Sequence, residues 1–423
     1  MPTVATAAAT TGRLRVLGTP HSPSAFMIRD FLSRSVVAYD WVELDEASAR
    51  ALAGVDGLDD PRLPICEFPD GSRLAAPSLE DVARRLGWVD KPRLALYDVS
   101  IYGAGPAGLS AAVYAASEGL RTVLVERQAI GGQAGSSSLI ENYLGFPQGV
   151  SGGDLAERAR QQAVRFGAEI LRLREGVHAI FVDGGIRVDL ADGSQLMART
   201  NICATGIEWR RLGLPDEDRL LGAGLFYGAG ASEAPMCVGE TVYVVGGGNS
   251  AGQAAMHLSA YATEVVMLVR GERLADTLSD YLLRKIEQAP RVRVVTHCEV
   301  VALEGGHSLE GITVRQRGSG VETRLPTRHV FVCIGGLPNT EWARDTAIVR
   351  DDAGYLVTGA DLGPAGTPPP GWPLVRAPFP LETSVPGSFA VGDVRHGSIK
   401  RVASAVGEGA MAVAFIHQHL ANT

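Results

Sequence analysis

No two cysteines in this 423-residue sequence stand close enough to form a Cys-x-x-Cys pair. The five thiols, Cys66, Cys203, Cys237, Cys298 and Cys333, are odd in number and far apart, which suits neither a disulfide framework nor a zinc site and points to a reducing compartment. No apolar run is long enough to span a bilayer, and the opening "MPTVATAAATTG" lacks the charged start and continuous apolar segment of an export signal. The expectation is a cytoplasmic protein with a frayed N-terminus. No basic run interrupts the formal charge of −8, so neither nucleic acid nor an anionic membrane face is a favoured partner. What is present is apolar residue content of 46%, enough to build more than one core and to suggest two or three domains.

Residues 13 to 90 read as strand "RLRVLG", helix "SAFMIRDFLSR", strand "VAYDWVEL", a hairpin turning at Asp70-Gly71, and a last helix. Ser78 caps that helix with Asp81 three residues on, and Gly87 ends it. This βαβ then ββα order resembles the thioredoxin and glutaredoxin fold. There an active thiol pair opens the first helix and a cis-proline faces it. Here the place of the thiols reads "HSPSA", with Ser22 and Ala25, while Pro64 in "RLPICEF" fits the proline. A unit without thiols cannot carry two electrons, so a structural or docking role is expected of residues 1–95.

From residue 97 the pattern becomes apolar strand, glycine turn and small-residue helix, in "YDVSIYGAGPAGLSAAVYAASEGLRTVLVER", and residues 241 to 270 repeat it in "TVYVVGGGNSAGQAAMHLSAYATEVVMLVR". Two such units imply two nucleotide sites. In the first, Gly103, Gly105 and Gly108 form GxGxxG around Pro106 and Ala107. The first glycine permits the turn, the second admits a pyrophosphate, and the third lets helix and strand close together. Glu126, followed by Arg127, ends the next strand where a carboxylate meets ribose hydroxyls. In the second, Gly246, Gly248 and Ala251 form GxGxxA, with Asn249 and Ser250 opening the helix. Arg270 ends the following strand, where an arginine can pair with the 2′-phosphate of NADP. The proline- and glycine-rich "GADLGPAGTPPPGWPLVRAPFP" reads as an exposed loop.

"AIGGQAGSSSLIENYLGFP", "CATGIEWRRLGLP", "FVCIGGLPNT" and "GSFAVGDVRHGSIKRVASAVGEGAMAV" follow in order. With the first glycine turn they closely resemble the low-molecular-weight thioredoxin reductases, FAD- and NADPH-dependent flavoproteins, from about residue 97 to the C-terminus. The resemblance implies FAD held by Gly103, Gly105, Gly108, Glu126, Gly132, Gln133, Asn142, Gly392 and Asp393, with Ala204, Thr205 and Gly206 at the first crossing between domains. It also implies NADPH at the second turn, and a homodimer. The α/β fold class that follows is two Rossmann-like domains behind a small thioredoxin-like one. The FAD domain is split into 96–212 and 329–423 around an NAD(P)H domain at 213–328. The family's Arg-Gln-Ala triplet along the flavin reads Arg401, Val402 and Ala403 here. Arg395, His396 and Lys400 are candidates for positive charge near the ring. The family's His-Arg-Arg reads Val269, Arg270, Gly271, which departs from its NADPH signature.

The family's redox cysteines precede the second turn, following a tyrosine. Tyr227 keeps the tyrosine, but "GAGASEA" follows, and Cys237 falls beyond the pair, where burial is expected. A dithiol relay needs one thiolate to attack and a second to resolve. The expected function is therefore hydride transfer from NADPH to FAD and on to a non-disulfide acceptor: oxygen, a quinone, a small organic molecule or an electron-transfer protein. No catalytic side chain is identified. A flavin-binding sensor or scaffold, and a flavoprotein reduced by an external electron-transfer protein, stand as alternatives.

Overall fold

The computed structural model describes residues 13–88, 91–182, 184–228, 233–364 and 367–422. The expected frayed start and most of the thiol-free "GAGAS" stretch lie outside them.

The chain opens with β1 (Leu14–Gly18), α1 (Pro23–Arg34), β2 (Tyr39–Glu43), β3 (Ile65–Glu67), β4 (Arg73–Ala75) and α2 (Leu79–Arg85). The sheet order is β2-β1-β3-β4, with β1 and β2 parallel and the remaining pairs antiparallel. Ser22 caps α1 by accepting from the Ala25 amide, with Pro23 in the first turn where its missing N–H costs nothing. Ser78 and Asp81 exchange the two bonds of a capping box at α2. The Leu63–Pro64 peptide is cis.

The second unit is a seven-stranded sheet. Its parallel part runs Glu169–Arg172, Thr122–Glu126, Tyr97–Tyr102, Gln195–Cys203 and Ser388–Ala390. The helices Pro106–Ser117 and Val402–Ala421 pack on each other over it. Their approach is backbone-close because position 409 is glycine: a Cβ there would run into the Ala107 carbonyl. The third unit is a five-stranded parallel sheet in the order Leu225–Tyr227, Val330–Val332, Thr241–Val245, Glu264–Leu268, Val292–Val295. A three-stranded antiparallel sheet, Cys298–Glu304, Gly311–Gln316 and Glu322–Pro326, follows it. Both parallel sheets are Rossmann-like, as the strand–turn–helix repeats predict.

One boundary is corrected. The return to the first nucleotide unit was expected at residue 329, but Val330–Val332 is an interior strand of the second nucleotide sheet. The chain crosses back afterwards, where Gly336–Pro338 pairs antiparallel with Ile207–Trp209. A short strand bounded by "CIGG" has no periodicity of its own to say which sheet claims it. The proline-rich loop is more firmly tied than its composition suggests. The Arg376 guanidinium donates twice to the fully buried Glu382 carboxylate, at 2.6 and 2.9 Å, and lies 4.0 Å from the Phe379 ring centroid.

Candidate functional site

The first glycine turn leaves the strand Tyr97–Tyr102 at Gly103, whose φ of +102° and contact with the Ala204 backbone admit no side chain. Gly105 caps the following helix, with Pro106 in its first turn. A Cβ on Gly108 would collide with the Gly103 carbonyl, whereas one on Gly105 would meet only Gly132 Cα, at 3.9 Å. Gly105 thus faces open space at a helix N-terminus, the place where a pyrophosphate gains from unpaired N–H groups.

Around this cradle the fold gathers the expected residues from four stretches. Glu126 is buried and accepts from the Ala104 amide at 2.7 Å and the Gln128 amide at 2.7 Å, so it shapes the turn as well as facing the site. Gln133 donates its amide to Ile207 O at 2.8 Å, and Thr205 donates to Asn339 O at 2.8 Å, which ties the loop and the crossing strands together beside Gly206. Arg127 is engaged with Glu208 and lies 3.6 Å from Glu175. Ala107 packs under Gly392, which has φ +74°. A cavity of about 110 Å³ adjoins the turn, lined by Glu126, Arg127, His178, Asn201, Thr205 and Trp342 among others.

Asp393 is half-buried, and its carboxylate has no hydrogen-bond partner among the described residues. Burial raises its pKa, against the opposing pull of Lys400. Such a group lacks a donor that a ligand hydroxyl would supply. Asn142, Arg401 and Ala403 lie at exposed positions, with Val402 half-buried at the start of the last helix. The three candidate cations are already engaged. Arg395 pairs with Glu408 at 2.6 Å, His396 lies 2.6 Å from the Asp351 carboxylate, and Lys400 donates to Asp393 O at 2.6 Å.

The second turn repeats the geometry. Gly246 has φ +138° and sits against the Cys333 carbonyl; Gly248 faces open space before the helix Asn249–Leu258; Ala251 is buried. Arg270 is exposed and has no side-chain partner among the described residues, whereas Arg273 pairs with Asp276 at 2.9 Å.

All five cysteines are free and buried. Burial pushes the Cys66, Cys203, Cys237 and Cys333 thiols up to about 12 and raises Cys298 as well. Cys237 ends a 3₁₀ turn and donates to Glu233 O at 3.5 Å. Tyr227, kept from the family pattern, donates to the Glu217 carboxylate. Glu217 also accepts from Arg211 and from the amides of Leu212, Gly213 and Leu214, so these groups brace the first crossing.

Sequence reasoning missed Glu408, whose carboxylate accepts from the Gly392 amide at 2.7 Å and fixes that loop. A lone acid inside the apolar "VASAVGEGAMAV" was the available signal. It also missed Thr277 and Ser279, which bond Gly247 O and Asn249 Oδ1 across the second turn. A 30-residue separation carries no local pattern.

Two Rossmann-like units, each presenting an open glycine cradle at the ends of its parallel strands, define a two-nucleotide oxidoreductase. The comparisons make this specific. The family described as pyridine nucleotide-disulphide oxidoreductase matches residues 97–409, and the chain belongs to it. An alkyl hydroperoxide reductase component of Pseudomonas putida is 34% identical over 332 residues, 77% of this chain and 59% of the relative, so the chain spans a little over half of that protein. Thioredoxin reductase of Peptoclostridium acidaminophilum is 31% identical over 75% of this chain and 95% of its own. Among solved structures, thioredoxin reductase from Lactococcus lactis, in what is described as its FR conformation, superposes with TM-score 0.69 at 25% identity. It covers 77% of this chain and 100% of that one. The T. acidophilum enzyme gives 0.68 at 28%, covering 77% and 99%. The protein is a thioredoxin reductase-like flavoprotein, and members of this group bind FAD and use NADPH.

Proposed function

We propose that this chain is an NADPH-dependent FAD oxidoreductase that delivers electrons to an acceptor without a dithiol relay of its own. The observation that carries the reading is the pairing of two open nucleotide cradles with five buried, unpaired thiols. Thiolates do the attacking in a relay, and thiols held near 12 are protonated at neutral pH. FAD, when bound, supplies the chemistry of accepting a hydride and passing electrons on.

The chain's residues do the rest. In this proposal Gly103, Gly105, Gly108 and Gly132 admit the pyrophosphate, Glu126 meets the ribose, and Asp393 receives a hydroxyl donor. Gly246, Gly248 and Ala251 seat NADPH, and Arg270 offers its unengaged guanidinium to the 2′-phosphate. The engagement of Arg395 with Glu408 and of His396 with Asp351 supports positioning roles for them in preference to free positive charge. We further propose the homodimer of the family, and a division into units at 1–95, 96–212, 213–332 and 333–423. No helix among the described residues is long and apolar enough to cross a membrane.

Anaerobic addition of NADPH, then NADH, with flavin absorbance followed in a stopped-flow instrument, tests the reading. Rapid bleaching is expected with NADPH. A spectrum unchanged by either nucleotide would abandon it and leave a sensor or an externally reduced flavoprotein. The relatives named as thioredoxin reductases favour a second reading, reduction of a disulfide substrate directly by the reduced cofactor. An acceptor panel containing an oxidised thioredoxin and a quinone, run on the same sample, distinguishes the two.

A further inference from the structure

The two nucleotide units are joined through an antiparallel ribbon of two short strands, Ile207–Trp209 and Gly336–Pro338. A link that narrow leaves their relative orientation to whatever else touches both, and the N-terminal unit does. Toward the second nucleotide unit, the Phe26 ring lies 5.3 Å from Phe226 and fills the space over Gly222, where a Cβ would come within 2.7 Å of it. The His21 ring lies 6.5 Å from His329, which itself stacks on Phe226 at 6.3 Å. Arg29 is 2% exposed; its guanidinium lies 4.4 Å over Trp41 and its Nη atoms lie 3.5 and 3.7 Å from Met236 Sδ. Burial lowers the Arg29 pKa, and the charge of Glu233, 1% exposed, opposes that shift. Toward the first nucleotide unit, Arg34 donates to Gly132 O at 3.2 Å, in the loop after the glycine turn. Ala129 and Leu173 join the hydrophobic cluster of the N-terminal unit, and the Arg172 guanidinium lies 4.4 Å over Trp88. One helix, α1, therefore has Arg29 on one unit and Arg34 on the other, about 7–8 Å apart along its axis.

We propose that the N-terminal unit is an internal brace. It occupies the face made by Gly222, Phe226, Met236 and His329, pins the second nucleotide unit against the first, and closes that face to any partner protein. The chemistry of the face fits a permanent occupant. Separation would put the Phe26 and Phe226 rings into water. A thioredoxin-like module with serine and alanine in the thiol positions would thus be kept for its shape and not for electron transfer.

Hydrogen–deuterium exchange on the full FAD-loaded chain, without nicotinamide, tests this independently of the functional reading. Phe26→Asp is expected to raise exchange about tenfold or more in peptides covering 222–228 and 233–238, with Leu14–Gly18 still protected. Met236→Lys, which sets a like charge against Arg29 from the other side and leaves the N-terminal unit intact, is expected to do the same and to enlarge the radius of gyration in solution scattering. If Met236→Lys leaves both the exchange and the scattering of the parent protein, the brace is refuted, whatever Phe26→Asp does to its own unit.

Discussion

His329 is 3% exposed, and both of its ring nitrogens lack a hydrogen-bond partner among the described residues. Burial, followed by the nearby charges of His21 and Arg328, lowers its pKa to about 4. An unfolded chain takes up that proton near 6.5, so between 6.5 and 4 the unfolded state binds protons that the folded state refuses. Stability contributed by the neutral ring is complete above 6.5 and lost as pH falls toward 4, by on the order of 2–3 kcal/mol. Urea midpoints measured across that range should fall in the parent protein, and His329→Phe should flatten the slope. At Gly103, alanine must adopt φ +102° and enter the Ala204 backbone. Gly103→Ala is expected to cost about 2–4 kcal/mol and to yield protein with much less flavin, read from the ratio of visible to ultraviolet absorbance. Arg270→Ala should weaken NADP binding about tenfold in a calorimetric titration while leaving NAD unchanged, because only the former has a phosphate for the guanidinium.

The decisive contact between elements is the crossing of the helices Pro106–Ser117 and Val402–Ala421. Position 409 touches the Ala107 carbonyl, so any side chain there pushes the last helix off the helix that follows the first glycine turn. Gly409→Val should destabilise the fold by about 1–3 kcal/mol and lower FAD affinity together, a coupling that thermal melts with and without added FAD will reveal. Glu408 precedes it and holds the Gly392 amide, which makes this stretch of helix a support for the loop that carries Asp393. The element scale was partly legible in the sequence. The Gly-x-Gly-x-x-Gly spacing, the cap at Ser78 and the alternation of strand and helix are local, and local sterics enforce them. The ownership of Val330–Val332 was not legible, because a three-residue apolar strand fits either sheet and only the pairing with Thr241–Val245 decides.

For the whole molecule, five buried thiols predict that a variant with every cysteine replaced by alanine, provided it still binds FAD, accepts electrons from NADPH at the parent rate. A collapse of that rate in a properly folded sample would place a thiol in the pathway. The two glycine turns were readable in advance because glycines at fixed spacing have a stereochemical reason to be there. The groups that hold them in place, Glu217, Glu408, Thr277 and Ser279, were not, since each acts across a distance in sequence that carries no pattern.

By itself the amino-acid order determined two glycine turns and the lack of a close thiol pair, since turn sterics and residue identity are properties of short segments. Only tertiary structure decided that the candidate cations are already engaged and that the first helix reaches both nucleotide units. Those outcomes depend on which distant side chains meet when apolar surface is withdrawn from water.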